Sequence, residues 1–295
     1  GARPVLADID RNTLNIDPDK IEKAVTKNTK AIIPVHFAGM PCDMDRIEAI
    51  ADKYGLAIIE DAAHALGASY KGRKIGADRG KRRASVFSFH PTKNITTGEG
   101  GMICTGDEAL AEKATVLRQN GMSKGAWNRY AAKGSANYDI FFPGLKYTMM
   151  DIQAAIGDSQ LRELGSFNAR RKEIVSFYME ELSKAEGLIL PKPAPWEHEH
   201  SWHIFTPLVD TEKLGMSRDD FMAEMKKRNI GTALHYQAIH LFTCFSEATG
   251  LGRGSLPEAE YVSDRIVSLP LFPAMTDRDA RDVVEAVFEI CGKKS

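Results

Sequence analysis

Short apolar runs alternating with amphipathic stretches constrain the first half of this chain more than any other feature. That rhythm is the pattern of a parallel sheet covered by helices. Residues 4–7 and 30–35 read as strands. Between them Asp17 can cap a helix with Pro18 in its first turn, where a missing N–H costs nothing, and Ile21 and Val25 then share one face. Asp43 starts a second helix with Ile47, Ile50 and Ala51 turned inward and Gly55 at its end, feeding a buried strand over 56–59. Strands are also expected over 85–89 and 101–105. In open sheets of this kind ligands gather beyond the carboxyl ends of the strands. Asp61 and His64 lie at one such end, and Ser88 through Lys93 at another.

From Met149 to Glu186 the apolar residues, among them Ile152, Ile156, Leu161, Ile174, Phe177 and Leu182, recur at helical spacing, predicting one long or twice-bent helix that leaves the first domain. Pro191, Pro193 and Pro195 then impose an extended connector. A strand is expected over 203–209, a helix opened by Ser217 with Asp220 three positions on, and a final helix opened by Thr276 and Asp279. The fold class is therefore α/β: a mostly parallel sheet in a large domain, 1–165, then a smaller α+β domain, 166–295, that includes the bridging helix. No internal repeat or low-complexity tract interrupts this organisation.

Composition removes several function classes. Thirty-nine basic against forty acidic residues create no net field for nucleic acid or an anionic membrane, so a bound phosphate must be held by local groups. Cys42, Cys104, Cys244 and Cys291 are far apart and form no Cys-x-x-Cys pair, which argues against a zinc site or disulfide framework and for a reducing cytoplasm. No apolar run approaches the roughly 18 residues of a spanning helix, so no membrane insertion is expected.

By residue type alone Lys93 is a solvated surface lysine, but its context reverses that reading. The apolar run Ser85-Val86-Phe87-Ser88-Phe89 delivers its loop to an interior edge, and Gly98, Gly100 and Gly101 supply a close turn behind it. A lysine amine desolvated there has a lowered pKa and can attack an aldehyde. Asp61 reads either as a helix cap or as a carboxylate that keeps a pyridine nitrogen protonated; His64 reads either as a packing histidine or as a ring contact. A lysine and an aspartate at neighbouring strand ends together suit pyridoxal 5'-phosphate, whose aldehyde needs a primary amine and whose ring needs a carboxylate.

Glu60-Asp61-Ala62-Ala63-His64-Ala65, Ser88-Phe89-His90-Pro91-Thr92-Lys93-Asn94 and Gly98-Glu99-Gly100-Gly101 resemble the sugar aminotransferases of the DegT/DnrJ/EryC1/StrS family. Pro143-Gly144-Leu145-Lys146-Tyr147 and Ser268-Leu269-Pro270-Leu271-Phe272-Pro273 follow in the order that resemblance expects. The segments around Trp202 and His235 most resemble members that make UDP-4-amino-4-deoxy-L-arabinose. The resemblance implies the fold of type I pyridoxal-phosphate-dependent transferases, like that of aspartate aminotransferase, and a homodimer with shared active sites. It implies Lys93 as the Schiff-base lysine, Asp61 as partner of the pyridine nitrogen, His64 as a ring contact, Ser88 as a phosphate ligand and His235 as a neighbour of the sugar substrate. Lys146 falls where many members carry an asparagine that reaches the phosphate of the neighbouring subunit, and Thr148 where they often carry arginine. Members also have a segment before the position of Gly1, with a phosphate-binding turn and an aromatic that stacks on the ring, so the chain is expected to be a fragment lacking its N-terminal part.

The implied reaction moves an amino group from glutamate, leaving 2-oxoglutarate, to a UDP-4-keto-pentose type of nucleotide sugar, for cell-surface polysaccharide or lipid A modification. Lys93 serves as base and acid in both half-reactions. A sugar dehydratase using the amine form of the cofactor is the nearest alternative, but such enzymes carry histidine at the lysine position; a non-catalytic cofactor-binding sensor is another. His198, His200 and His203 could suggest a metal site, yet alternation along a strand sends His203 to the opposite face, so they read as strand and loop residues and no metal is expected. The run from Arg79 to Arg83 reads as a solvated loop.

Overall fold

The computed structural model describes residues 1–78, 80–122 and 139–292, which places Arg79 outside the described residues. The first part of the chain forms α1 (Pro18–Ala24), β1 (Ala31–Ile32), α2 (Met44–Tyr54), β2 (Ala57–Asp61), β3 (Ser69–Tyr70), β4 (Arg73–Lys74), β5 (Arg83–Ser88), β6 (Gly101–Cys104) and α3 (Glu108–Leu117). The helix α4 (Asp151–Leu182) follows, and then β7 (Leu188–Ile189), β8 (His198–Glu199), β9 (Leu208–Val209) and α5 (Thr211–Leu214). The last part holds α6 (Arg218–Lys227), α7 (Thr243–Thr249), α8 (Pro257–Ser263) and α9 (Asp277–Cys291).

The main sheet has the order β1-β2-β5-β6, parallel at its first two pairings and antiparallel at the last. Asp17 and Asp43 cap α1 and α2 through their side chains, and Gly55 ends α2 in the left-handed conformation, as the turn residues require. Met44, Ile47 and Ile50 of α2 then pack with Ile32, Ile58 and Phe87 in one core. Strand β2 alternates: Ile58 and Glu60 are buried, while Ile59 and Asp61 take the other face. Glu60 is not left unpaired in the core. Its carboxylate accepts from His36 Nε2 at 2.8 Å and Ser85 Oγ at 3.1 Å, while His36 Nδ1 accepts from the Cys42 backbone N–H.

Two strand expectations are corrected. Residues 4–7 form no strand: Val5 is exposed, and the segment is anchored instead at Asp8, whose carboxylate accepts from the backbone N–H groups of Glu258 and Ala259 in the first turn of α8. Of 203–209 only Leu208 and Val209 form a strand. Pro207 has no N–H to give a ladder, and the residues from 203 to 206 hold a single bridge, from Phe205 to Leu269.

Helix α4 is one continuous element of 32 residues whose two ends live in different surroundings. Near its start Ile152, Ile156 and Leu161 are exposed; towards its end Ile174, Val175, Tyr178 and Leu182 are buried against Phe205, Phe221 and the apolar face of α9. Arg171 lies between these regions and is buried. Its Nη1 donates to the carbonyls of Trp202, His203 and Leu271 at 3.4, 3.0 and 3.0 Å, and burial lowers its pKa to about 10. The helix thereby grips the segment that carries His203. Ser217 with Asp220 and Thr276 with Asp279 form capping boxes at the starts of α6 and α9, as their spacing predicts.

One close approach sets the entrance to the site. Gly39 has φ +99°, and a Cβ there would lie 2.2 Å from Ser201 Oγ and 2.9 Å from the His64 carbonyl oxygen. Its own carbonyl accepts from the Ser201 N–H. Gly39→Ala is expected to destabilise the fold by about 2 kcal/mol or more, because strain and overlap coincide. Urea denaturation of the variant checks this, and an unchanged midpoint would contradict it.

Candidate functional site

Parallel pairing of β2 with β5, in the register Asp61 opposite Val86, brings the carboxyl ends of both strands to one edge of the sheet. Asp61 ends β2 on the face opposite Glu60, and its Oδ1 accepts from the Ala63 N–H at 3.0 Å, leaving Oδ2 for another donor. Ser88 ends β5, and the chain then turns through His90, whose carbonyl accepts the Lys93 N–H at 2.9 Å. Ser88 Oγ accepts from the His90 N–H at 3.3 Å and keeps its own hydrogen for donation.

The Lys93 amine is partly buried, and that burial lowers its pKa while the Asp61 carboxylate pulls the other way. The same amine acts electrostatically on His64, His203 and His235. Each of the three histidines is kept neutral chiefly by burial, with that cation as a further cause. For His64 the pKa falls to about 3. Its Nδ1 accepts from the Ala38 N–H at 3.3 Å, so the hydrogen sits on Nε2, which donates to Tyr236 Oη at 3.2 Å. His235 Nδ1 pairs with Ser268 Oγ at 2.8 Å.

Of the residues the sequence pointed to, Lys93 lies within electrostatic reach of Asp61, His64 and His235, and Ser88 ends the strand that leads to it. Lys146 does not join them within this chain: it is exposed on a separate segment, its backbone bridged to Gln119. The trio His198, His200 and His203 is dispersed among separate contacts. His198 Nδ1 bonds the Trp196 carbonyl, His200 stacks on Trp202 at 3.7 Å, and His203 packs on the His64 ring at 4.3 Å. Sequence reasoning missed Tyr236, Asn94 and His203 as members of the site. Tyr236 had a signal in its position beside His235, and Asn94 in its position beside Lys93; His203 is brought in only by tertiary packing.

The arrangement offers an amine held below its ordinary proton affinity, a carboxylate with one oxygen free, a neutral imidazole ring and a hydroxyl at one sheet edge. Such a set can bind an aldehyde covalently and hold a protonated ring nitrogen.

Comparison with known proteins agrees with that chemistry. The sequence profile described as the DegT/DnrJ/EryC1/StrS aminotransferase family matches residues 1–288. The spore coat polysaccharide biosynthesis protein SpsC of Bacillus subtilis is 46% identical over 294 residues, covering 98% of this chain and 74% of that protein. The structure is similar to S. venezuelae DesV solved with a ketimine intermediate, at 35% identity and a TM-score of 0.85, covering 97% of this chain and 71% of that one. It is also similar to Helicobacter pylori PseC, an aminotransferase involved in the biosynthesis of pseudoaminic acid, at 27% identity and a TM-score of 0.88, covering 98% and 73% of the two chains.

The histidine at 64 carries a pH dependence with a definite sign. Unfolded, it titrates near 6.5; folded, at about 3, so the unfolded chain binds more protons between those values and stability falls as pH drops through that window. Between pH 7 and 5 this one group should remove about 2 kcal/mol. Denaturation of the chain and of His64→Gln at both pH values checks it: the variant should lose correspondingly less, and equal losses would contradict the assignment.

Proposed function

The chain belongs to the DegT/DnrJ/EryC1/StrS aminotransferase family, and on that premise we propose that it is a pyridoxal-phosphate-dependent aminotransferase that passes an amino group from glutamate to a 4-keto nucleotide sugar. The observation that carries this reading is the meeting of the Lys93 amine and the Asp61 carboxylate at one sheet edge, where burial weakens the amine's hold on its proton. When bound, pyridoxal phosphate supplies an aldehyde for amines and a ring that absorbs an electron pair. Lys93 would hold the aldehyde carbon and, as a free amine, would take a proton from the donor's α-carbon in one half-reaction and return one to the sugar carbon in the other. Asp61 would hold the ring nitrogen in its protonated form through the oxygen that Ala63 leaves free. His64, kept neutral, would flank the ring, Ser88 would donate its hydroxyl to the phosphate, and His235 would stand towards the sugar.

In a homodimer Lys146 would be supplied to the phosphate by the partner. Support for such a dimer comes from the surroundings of Lys146, where Phe141, Leu145, Tyr147, Met150 and Ile152 are all exposed, an apolar surface of the kind that marks an interface. The segment 1–165 would then be the cofactor-binding domain and 166–295 the smaller one. Among the described residues no helix is long and apolar enough to cross a membrane, and Cys42, Cys104, Cys244 and Cys291 are free, in keeping with a reducing cytoplasm. The relation to SpsC favours a product destined for a cell-surface polysaccharide. A lysine at 93 speaks against the dehydratase reading.

The test is a panel of UDP- and dTDP-linked 4-keto sugars offered with glutamate and analysed by mass spectrometry. At least one should gain an amino group with stoichiometric 2-oxoglutarate and ping-pong kinetics. Lys93→Ala should lose activity by about 10³-fold or more, and Asp61→Ala by about 10²-fold. Full activity in Lys93→Ala would contradict the reading.

A further inference from the structure

Asn94 is the residue after Lys93, and it is 5% exposed with both polar atoms of its side chain engaged. Its Nδ2 donates to Asn168 Oδ1 at 2.8 Å and to the Ser201 carbonyl at 3.0 Å, and its Oδ1 accepts from His203 Nδ1 at 3.0 Å. Each of those partners leads onward. Asn168, on α4, donates to the Leu66 carbonyl at 3.1 Å; Ser201 Oγ donates to the His64 carbonyl at 2.7 Å; and the His203 ring packs on the His64 ring. The backbone N–H of His203 is also held, by the Ala38 carbonyl at 3.0 Å, and Ala38 in turn donates to His64 Nδ1. One amide thus ties together the loop of Lys93, the turn after β2, helix α4 and the segment 201–203.

We infer that Asn94 and His203 form a clamp that positions the Lys93 amine against Asp61 and His64, acting on the chemistry through Lys93 rather than by touching substrate. The inference rests on the reading of Lys93 as the reactive amine. Donation from Nδ1 to Asn94 leaves His203 with a lone pair on Nε2, so the clamp adds no second cation beside Lys93. The groups facing that amine are then Asp61 and the neutral imidazoles of His64, His203 and His235. A buried amide satisfied in three directions also resists relaxation, because loss of any partner strands another polar group. A loosened loop would let the Lys93 side chain reach water, where its proton affinity returns to that of an ordinary lysine.

The test reads Lys93 directly and needs no cofactor. The protein is acetylated with trace acetic anhydride at a series of pH values, and labelling of the Lys93 peptide is quantified by mass spectrometry against surface lysines. In the unaltered chain Lys93 should titrate below the surface set. In Asn94→Ala and His203→Leu its midpoint should rise towards that set, cutting relative labelling at pH 8 on the order of tenfold. His203→Gln, which can still donate to Asn94, should keep the original midpoint. Variants that lower thermal stability yet leave the Lys93 midpoint unmoved would show a merely structural role and overturn the inference. If Asn94→Ala does not fold, the two His203 variants decide: equal midpoints in Leu and Gln overturn the clamp, and a shift in Leu alone supports it. Because the labelling is done without cofactor, failure of the aminotransferase reading would appear separately, as absence of product from every keto sugar.

Discussion

Pairing of β2 with β5 fixes where the Asp61 carboxylate and the loop of Lys93 lie. Parallel strands end on the same side of a sheet, so the register that sets Asp61 opposite Val86 brings the loop after Ser88 beside the Asp61 carboxylate. A slip of one residue would exchange the faces of β2, turning Asp61 inward and Glu60 out. Glu60 opposes that slip. Its buried carboxylate is satisfied by His36 on one side and Ser85 of β5 on the other, and Ser85 is its own ladder partner. The acid that does no chemistry therefore holds the neighbouring acid in place.

The surroundings of Lys93 work by desolvation more than by charge. Burial is the largest influence on the amine and on His64, His203 and His235, and in each case it favours the neutral form. Asp61 alone pulls Lys93 back towards its cation. That balance leaves the amine's proton loosely held, which suits the nucleophile and proton carrier proposed for Lys93. Rigidity comes from outside the reactive set: Arg171 fastens α4 to the carbonyls of Trp202 and His203, and Asn94 fastens the lysine loop to Ser201 and His203. Both anchors meet at 201–203, so this short segment transmits the packing of α4 and α9 to the sheet edge.

Much of this was legible in the residues themselves. Caps at Asp17, Asp43, Ser217 and Thr276, the left-handed end at Gly55 and the periodicity of α4 are local signals, and local physics decides them. The placement of Asp61 and of the Lys93 loop at neighbouring strand ends was legible because the apolar runs that precede them mark buried strands. The strand expected over 4–7 failed because an apolar run becomes a strand only if another backbone pairs with it. The strand over 203–209 was cut short by a proline within the run. His203 was unreadable for a different reason: it lies more than a hundred residues from His64, and only the folded chain packs the two rings together.

The most direct measurement is borohydride reduction of the protein mixed with pyridoxal phosphate, followed by peptide mapping. A pyridoxyl mass on the peptide containing Lys93, and its loss when that lysine is replaced by arginine, is the result predicted by an amine presented to the aldehyde beside Asp61. Label spread over surface lysines with none on Lys93 would contradict the assignment of this sheet edge as the active site.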